Sequence, residues 1–441
     1  MKQKKVAVCT LGCKVNQYES AALAGLFRDR GYEVVDCGCR ADVYVINTCT
    51  VTHLGDRKSR QLIRRAAGHN PEAVVVVTGC YAQASPEEVS GIPGVDLVVG
   101  THNRVGLVDM VESAVRKKGP FNKVRDFGTE EDFEELLALP YQSRTRALLK
   151  IQDGCESFCA YCIVPYVRGP LRSRQPEKVL DEARRLVDEG YKEIVLTGVH
   201  TGAYGQDLQG NIDLSDLIRK LASIPGLLRL RLSSVEPNDI TPRLLEVLAG
   251  TPVFCRHLHL PLQSGDDEIL ARMGRRYSAR EYARLLEAIR VNMPGVAITT
   301  DIMVGFPGET DKHFNNSYQF VKEMALAGIH VFKYSSRRGT PAASFTGQVE
   351  PIVKEQRSRL MISLAEEMAV KFAAAMLGQV VTVLVEKPCG EEKGFYEGLT
   401  GNYVRVVFPA RKDLRGEMVT VRLEKQKGTI LEGIIDNGRI F

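Results

Sequence analysis

The stretch GCESFCAYCIVPYVRGPLRSR places Cys155, Cys159 and Cys162 close together and follows them with Arg168, Arg172 and Arg174. Three thiolates are one short of a structural zinc site, which is almost always four-coordinate. His257 or His259 would complete such a set only by coincidence. A dithiol redox pair would use Cys159 and Cys162 and leave Cys155 unexplained. A c-type haem is excluded, because Ile163 and not His follows Cys162. The CxxxCxxC spacing can wrap three thiolates around one corner of a [4Fe–4S] cube, leaving one iron open for a substrate or cofactor. Zinc and inert thiols stay open as alternatives on spacing alone.

A second group lies nearer the start. Cys13, Cys49 and Cys80 each end a strand-like run, in TLGC, INTC and TGC. In a parallel sheet the C-terminal strand ends face one crevice, so three strands would deliver three thiols to one edge. Cysteine is also a common core residue. Gly12 and Gly79, next to two of the three, let backbone approach a bulky group. Cys9 reads as core, Cys37 and Cys39 are ambiguous, and Cys255 and Cys389 look isolated.

The elements that must position these residues follow from periodicity. YESAALAGLFRDRG and GDRKSRQLIRRAAG read as helices, and YEVVDC, DVYVINTC and AVVVVTGC as buried strands. Residues 1–118 therefore read as a parallel α/β domain of Rossmann or flavodoxin type. Residues 119–145, with the acidic run TEEDFEELL, read as a linker. Six strand candidates follow: ALLKIQDG, EIVLTGV, LRLRLSSV, RHLHLPLQ, AITTDIMVGF and GIHVFKYS. Helical patterns such as PEKVLDEARRLVDEG and SAREYARLLEAIRVN separate them. Residues 146–378 thus suggest a partial (βα)6, TIM-like barrel, where chemistry sits at the C-terminal strand ends. Residues 379–441 carry short β runs between Gly-containing turns, a small β-barrel.

Composition sets the bounds. A chain of 441 residues should form two or three domains. The start has no signal-peptide pattern and no apolar run reaches bilayer length, so the reading is cytoplasmic. In a reducing compartment the eleven cysteines read as ligands or reactive thiols, not disulfides. A net charge of +5 permits a nucleic-acid partner without demanding one.

The chain resembles the radical S-adenosylmethionine (SAM) superfamily at CESFCAYC, and the methylthiotransferases within it over essentially its full length. The matching elements are GCKVNQYES, INTCTVT, TGCYAQ, GCESFCAYCIVPYVRG, RLSSVEP, HLHLPLQSGDDEIL, TDIMVGFPGET and YSSRRGTPA. The tail resembles the RNA-binding TRAM domain. The wording around the first cysteines is most like the bacterial branch acting on N6-threonylcarbamoyladenosine at tRNA position 37. The isopentenyladenosine and ribosomal-protein-S12 branches are the alternatives, and an iron–sulfur RNA-binding protein without catalysis is a further one.

The resemblance implies two [4Fe–4S] clusters, with Cys155, Cys159 and Cys162 holding the SAM-binding one and Cys13, Cys49 and Cys80 the auxiliary one. It also implies reductive cleavage of SAM, hydrogen abstraction at carbon 2 of the adenine, and delivery of a methylthio group from the auxiliary side. The expected partners are the tRNA anticodon stem-loop and an electron donor such as flavodoxin or ferredoxin, with no membrane. Strand-end positions suited to SAM are Thr197, Gly198, Val199, Ser233, Ser234, Glu236, Gln263, Ser264, Asp301 and Gly305. Arg57, Lys58, Arg60, Arg64, Arg65, Arg168, Arg172 and Arg174 suit phosphate contacts. Strand-end packing and solvated helix faces are the plainer readings of these residues. Tyr396, Tyr403 and Phe408 in the tail suit either base stacking or a core.

Overall fold

The computed structural model describes residues 3–114, 120–128, 132–137, 145–389 and 394–440. The chain divides into two compact units, and their membership does not follow chain order. The first holds Met1–Tyr141, Lys150–Arg174 and Ser335–Ala343, and the second Gln142–Leu149, Gln175–Tyr334 and Ser344–Phe441.

In the first unit the order is β1 (Lys5–Thr10), α1 (Lys14–Asp29), β2 (Glu33–Val35), β3 (Val43–Thr48), α2 (His53–His69), β4 (Val74–Gly79), α3 (Cys80–Ala84), α4 (Pro86–Ser90), β5 (Leu97–Val98), α5 (Leu107–Ala114) and β6 (Phe121–Asn122). The strands form one parallel sheet in the order β2-β1-β3-β4-β5-β6. Every residue of β3 is buried, because helices cover both faces. Tyr44 and Ile46 pack on one face with Ile63 and Ala66 of α2, while Val43 and Val45 pack on the other with Leu23 and Phe27 of α1. The expectation of a buried strand in YEVVDC is corrected. β2 is a three-residue edge strand with its first two residues exposed, since among the described residues no strand pairs with its outer side.

One expectation about cysteine chemistry is overturned. Cys9 and Cys37 form a disulfide with a Cα–Cα separation of 5.6 Å. The register explains it. β1 pairs Lys5 with Glu33 and Ala7 with Val35, so continuing two residues sets Cys37 opposite Cys9, at a spacing disulfides accept. Cys9 is otherwise the core residue its strand position implied.

The chain re-enters this unit at Lys150, the last residue of β7 (Arg146–Lys150). A short antiparallel pair follows, β8 (Gln152–Asp153) with β9 (Arg172–Ser173), and the helical turn α6 (Val164–Arg168) lies between them in sequence.

The second unit contains α7 (Pro176–Asp188), β10 (Glu193–Thr197), α8 (Leu214–Ala222), β11 (Arg229–Leu232), α9 (Pro242–Gly250), β12 (His257–His259), α10 (Asp267–Arg272), α11 (Ala279–Asn292), β13 (Ala297–Val304), α12 (Asp311–Glu323), β14 (Gly328–Lys333) and α13 (Pro351–Ala374). All six strand candidates form, in sheets ordered β11-β10-β7 and β12-β13-β14. Single parallel bridges, Leu230 to Phe254 and Ser234 to His259, continue the pairing from β11 to β12. The result is an open run of parallel βα units, the partial barrel the strand spacing implied.

The C-terminal strands β15 (Val380–Pro388), β16 (Phe395–Thr400), β17 (Arg405–Pro409), β18 (Met418–Lys427) and β19 (Ile430–Ile440) close a small barrel. The run EGLTGNYVRVVF is two strands, broken where Tyr403 takes a left-handed conformation at φ 71°. Arg229 and Arg231 of β11 tie this barrel down. Both pair with the buried Glu193, and Arg229 also donates to the Leu399 carbonyl at 2.9 Å and Arg231 to the Gly401 carbonyl at 3.0 Å. The Tyr403 ring sits 4.1 Å from the Arg231 guanidinium, and Phe408 is core. Among the described residues no helix is long and apolar enough to cross a membrane.

Candidate metal centre

Cys13, Cys49 and Cys80 follow β1, β3 and β4, so all three leave the same edge of the first unit's sheet. The order reverses between β1 and β3, and such switch points open the crevice where doubly wound sheets bind ligands. Gly12 makes the close approach possible. At φ 109° it adopts a conformation that favours glycine, and a Cβ there would lie 3.0 Å from the Cys49 Cβ. Cys13 is the N-cap residue of α1, and its thiol lies 3.8 Å from the Asn16 side-chain oxygen. The three thiols influence one another electrostatically. Burial pushes the Cys80 thiol up to about 11 and also raises Cys49, with Arg168 pulling both the other way. Both would therefore enter as thiolates only with a cation or a metal beside them.

Among the described residues, no three His, Cys, Asp or Glu side chains converge on one ion. A cubane asks for something different, since each of its thiolates binds a separate iron. The donor set, three sulfurs at one sheet edge with a glycine cradle, fits such a group.

Cys155, Cys159 and Cys162 lie on the loop between β8 and α6. The Cys155 N–H donates to the Gly169 carbonyl at 3.1 Å, and the Cys162 N–H to the Cys159 carbonyl at 2.9 Å, so the loop is folded on itself. The Ser157 N–H points at the Cys155 sulfur at 3.5 Å. The Ala342 N–H donates to the Ala160 carbonyl, fastening the GTPA segment to the loop. Phe158 is exposed, with φ 45°, and its ring meets Tyr166 edge-on.

The arginines after this loop do not reach solvent, which corrects their assignment to RNA. Arg168, Arg172 and Arg174 are all buried. Arg168 pairs with Glu19 and reaches Asp153 at 3.3 Å, and it donates to the Asn16 oxygen at 2.7 Å. Arg172 stacks over Phe127 and donates to the Arg168 carbonyl. Arg174 pairs with Glu135 at 2.8 Å. Arg104 binds Glu19 and Glu134 at 2.9 and 2.7 Å. The acidic run expected to be a linker therefore pairs with buried arginines through Glu134 and Glu135. Its Thr129, Glu130 and Glu131 lie outside the described residues, as do residues 119 and 138–144 of the expected linker.

The other basic group stands differently. Arg57, Lys58, Arg64 and Arg65 are exposed on α2, directly after Cys49 in the chain. Arg60 is half-buried, paired with Glu88 and bonded to the Tyr81 hydroxyl. The periodicity reading missed Arg337, which binds Asp56 and the Thr50 hydroxyl beside Cys49. Its motif, SSRRGTPA, was visible, but its partners lie far away in sequence.

In the second unit, Thr197 ends β10 with Gly198 and Val199 just after it, and Ser233, Ser234 and Glu236 follow β11. Ser233 is buried, and its hydroxyl has no hydrogen-bond partner among the described residues. An orphaned hydroxyl at a strand end suits a bound polar ligand. Glu236 is paired with Arg275, and Ser264 accepts the Asp266 N–H. Gln263 takes φ 70° and pairs its backbone with Asp301 and Met303, while Asp301 faces His259 at 3.2 Å. Gly305 departs from expectation. A Cβ on it would lie 2.3 Å from the Lys354 side chain, so the space it opens is filled by that stem.

Residues 149–321 match the Radical SAM superfamily, and residues 5–100 match an uncharacterized protein family, UPF0004. The chain is 45% identical over 423 residues to the threonylcarbamoyladenosine tRNA methylthiotransferase MtaB of Bacillus subtilis, covering 95% of this chain and 94% of that one. It is 37% identical to the same enzyme of Aquifex aeolicus, over 95% and 99% of the two chains. It is 35% identical to a tRNA-2-methylthio-N(6)-dimethylallyladenosine synthase of Clostridium botulinum, over 96% and 95%. Among solved structures, the radical SAM methyltransferase TsrM from Kitasatospora setae shares the fold with a TM-score of 0.59 at 15% identity, covering 78% of this chain and 74% of that one. A chain whose two cysteine triads sit at strand exits, and which aligns end to end with these enzymes, belongs to the radical SAM tRNA methylthiotransferase family.

Proposed function

We propose that this protein methylthiolates carbon 2 of N6-threonylcarbamoyladenosine at position 37 of tRNA, with SAM and two [4Fe–4S] clusters. The observation that carries the substrate is the 45% identity to the MtaB enzyme over nearly the whole chain, ten points above the dimethylallyladenosine synthase. Cys155, Cys159 and Cys162 would hold the cluster that binds SAM, and Cys13, Cys49 and Cys80 the second. The first cluster, when bound, supplies reductive cleavage of SAM and through it hydrogen abstraction from the adenine.

The chain's own residues bind, orient and shield. Ser233, with its unused hydroxyl, and the strand-end backbone of Thr197 to Val199 support a SAM seat at the sheet's C-terminal edge. Arg57, Lys58, Arg64 and Arg65 form the exposed cationic face for RNA phosphates. Phe158, Val51 and Leu54 are exposed apolar side chains close in sequence to ligand cysteines, and they suit stacking against an unpaired base. The anticodon stem-loop is the tRNA part read as substrate, a flavodoxin or ferredoxin the electron donor, and the cytoplasm, where tRNA is, the location.

The test is anaerobic turnover with reductant, SAM and an anticodon stem-loop carrying threonylcarbamoyladenosine. The expected products are 5′-deoxyadenosine and the 2-methylthio nucleoside. Turnover only on isopentenyladenosine would transfer the assignment to the dimethylallyl branch, and 5′-deoxyadenosine never forming would leave a non-catalytic iron–sulfur protein.

A further inference from the structure

Arg168 lies at the centre of a buried charge cluster that pairing among the described side chains does not balance. Glu19, fully buried, is bound by Arg104, Lys150 and Arg168. Asp153 is bound by Lys150 at 2.6 Å and faces Arg168 and Arg172 at 3.3 and 4.0 Å. Glu134 takes the other side of Arg104. Among the described residues four cations thus meet three carboxylates, and one guanidinium nitrogen of Arg172 has no hydrogen-bond partner. An uncompensated buried charge costs several kcal/mol, so an anion is expected beside the cluster.

The cysteines supply that anion. Arg168 ends α6, and Val167 of that turn packs on Cys80 together with the preceding Ile163. The Arg168 guanidinium acts on Cys80 through its charge, pulling the buried thiol down against the effect of burial. It also binds the oxygen of Asn16, which lies 3.8 Å from the Cys13 thiol. Asn16 is itself fixed by donating to the Leu11 and Thr48 carbonyls, at the ends of β1 and β3. One guanidinium therefore acts on two of the three sulfur positions, through its charge at Cys80 and through one amide at Cys13.

We propose that Arg168 is a positioning residue for the group held by Cys13, Cys49 and Cys80, donating a hydrogen bond to the Cys80 thiolate and raising the reduction potential of that centre. This rests on the reading that these cysteines hold a second cluster. The physics is direct. One-electron reduction adds one negative charge to the cluster, and a buried cation with a hydrogen bond to a ligand sulfur favours the more negative form. The segment that carries CxxxCxxC thus contributes to the other cysteine triad.

The experiment uses the full chain with Cys155, Cys159 and Cys162 all changed to Ala, reconstituted anaerobically with iron and sulfide. Iron content and an EPR-monitored dithionite titration are compared with and without Arg168→Gln. The expected result is unchanged iron with a reduced-to-oxidised ratio at least tenfold lower at a fixed potential, which is about 59 mV for a one-electron couple. Arg168→Lys should restore part of the shift, because it keeps the charge and loses the fork. Arg168→Gln takes one of its three partners from Glu19, so the paired variant Glu19→Gln/Arg168→Gln, which removes both charges, guards against misfolding and should show a smaller shift of the same sign, from the lost hydrogen bond. Equal iron with an unmoved potential and spectrum overturns the role of Arg168 alone. No iron in the triple-Ala chain overturns the second cluster, and the role of Arg168 with it.

Discussion

If the two cysteine triads each hold a cluster, as proposed, their loss should be selective. Changing Cys13, Cys49 or Cys80 to Ala should remove about half the iron of the reconstituted protein, and so should Cys155, Cys159 or Cys162. Cys389→Ser, off both triads, should leave it unchanged; iron analysis reads the difference. The placement of the six cysteines at strand exits was legible because strand-end position and CxxxCxxC spacing are local patterns. The burial of Arg168, Arg172 and Arg174 was not, because Glu19, Asn16 and Glu135 lie far from them in sequence. Charge is visible in a sequence, but its compensation is a property of the fold. That compensation has a pH signature. Burial alone would raise Asp153, yet Lys150 and Arg168 overcome it and hold the carboxyl at about 2. A depressed carboxyl stabilises the fold above its unfolded value near 4, and the contribution is lost as pH falls from about 4 towards 2. Thermal midpoints should drop more steeply over that interval in the native chain than in Asp153→Asn; parallel curves would contradict the pairing.

At the level of elements, the exposed face of α2 keeps a cationic surface after folding. Replacing Arg57, Lys58, Arg64 and Arg65 by Gln should weaken tRNA binding and reduce the slope of log affinity against log salt by about 3, at roughly 0.7–0.9 per phosphate contact. An unchanged slope would place the RNA elsewhere. The turn from β4 into α3 is equally specific. Gly79 sits at φ 94°, and a Cβ there would lie 2.4 Å from the Asn47 side-chain oxygen and 2.5 Å from the Thr48 carbonyl. Gly79→Ala should therefore cost about 1–3 kcal/mol in denaturant unfolding and displace Cys80. Most elements were readable from apolar periodicity, including all six strands of the second unit. The Cys9–Cys37 disulfide was not, since it depends on the register between β1 and β2, which periodicity alone does not set.

Across the whole molecule, the expected division into consecutive domains meets a chain that weaves. Lys150–Arg174 and Ser335–Ala343 pack with the first unit, although both lie within the span read as barrel. Such membership is set by long-range partners, as when Arg337 reaches Asp56. The C-terminal barrel is also more than an appended module, because Arg229 and Arg231 bond its carbonyls. Removing residues 379–441 should strip those guanidinium groups of acceptors and lower the urea midpoint of the second unit, besides any loss of RNA affinity; an unchanged midpoint would make the tail independent. The central claim concerns the reaction, and one measurement tests it most directly: mass spectrometry of tRNA nucleosides from a strain lacking this gene, with and without the gene restored. The expected result is loss of 2-methylthio-N6-threonylcarbamoyladenosine on deletion, recovery with the native gene, and no recovery with Cys155→Ala. An unchanged nucleoside profile in the deletion strain would contradict the assignment to tRNA.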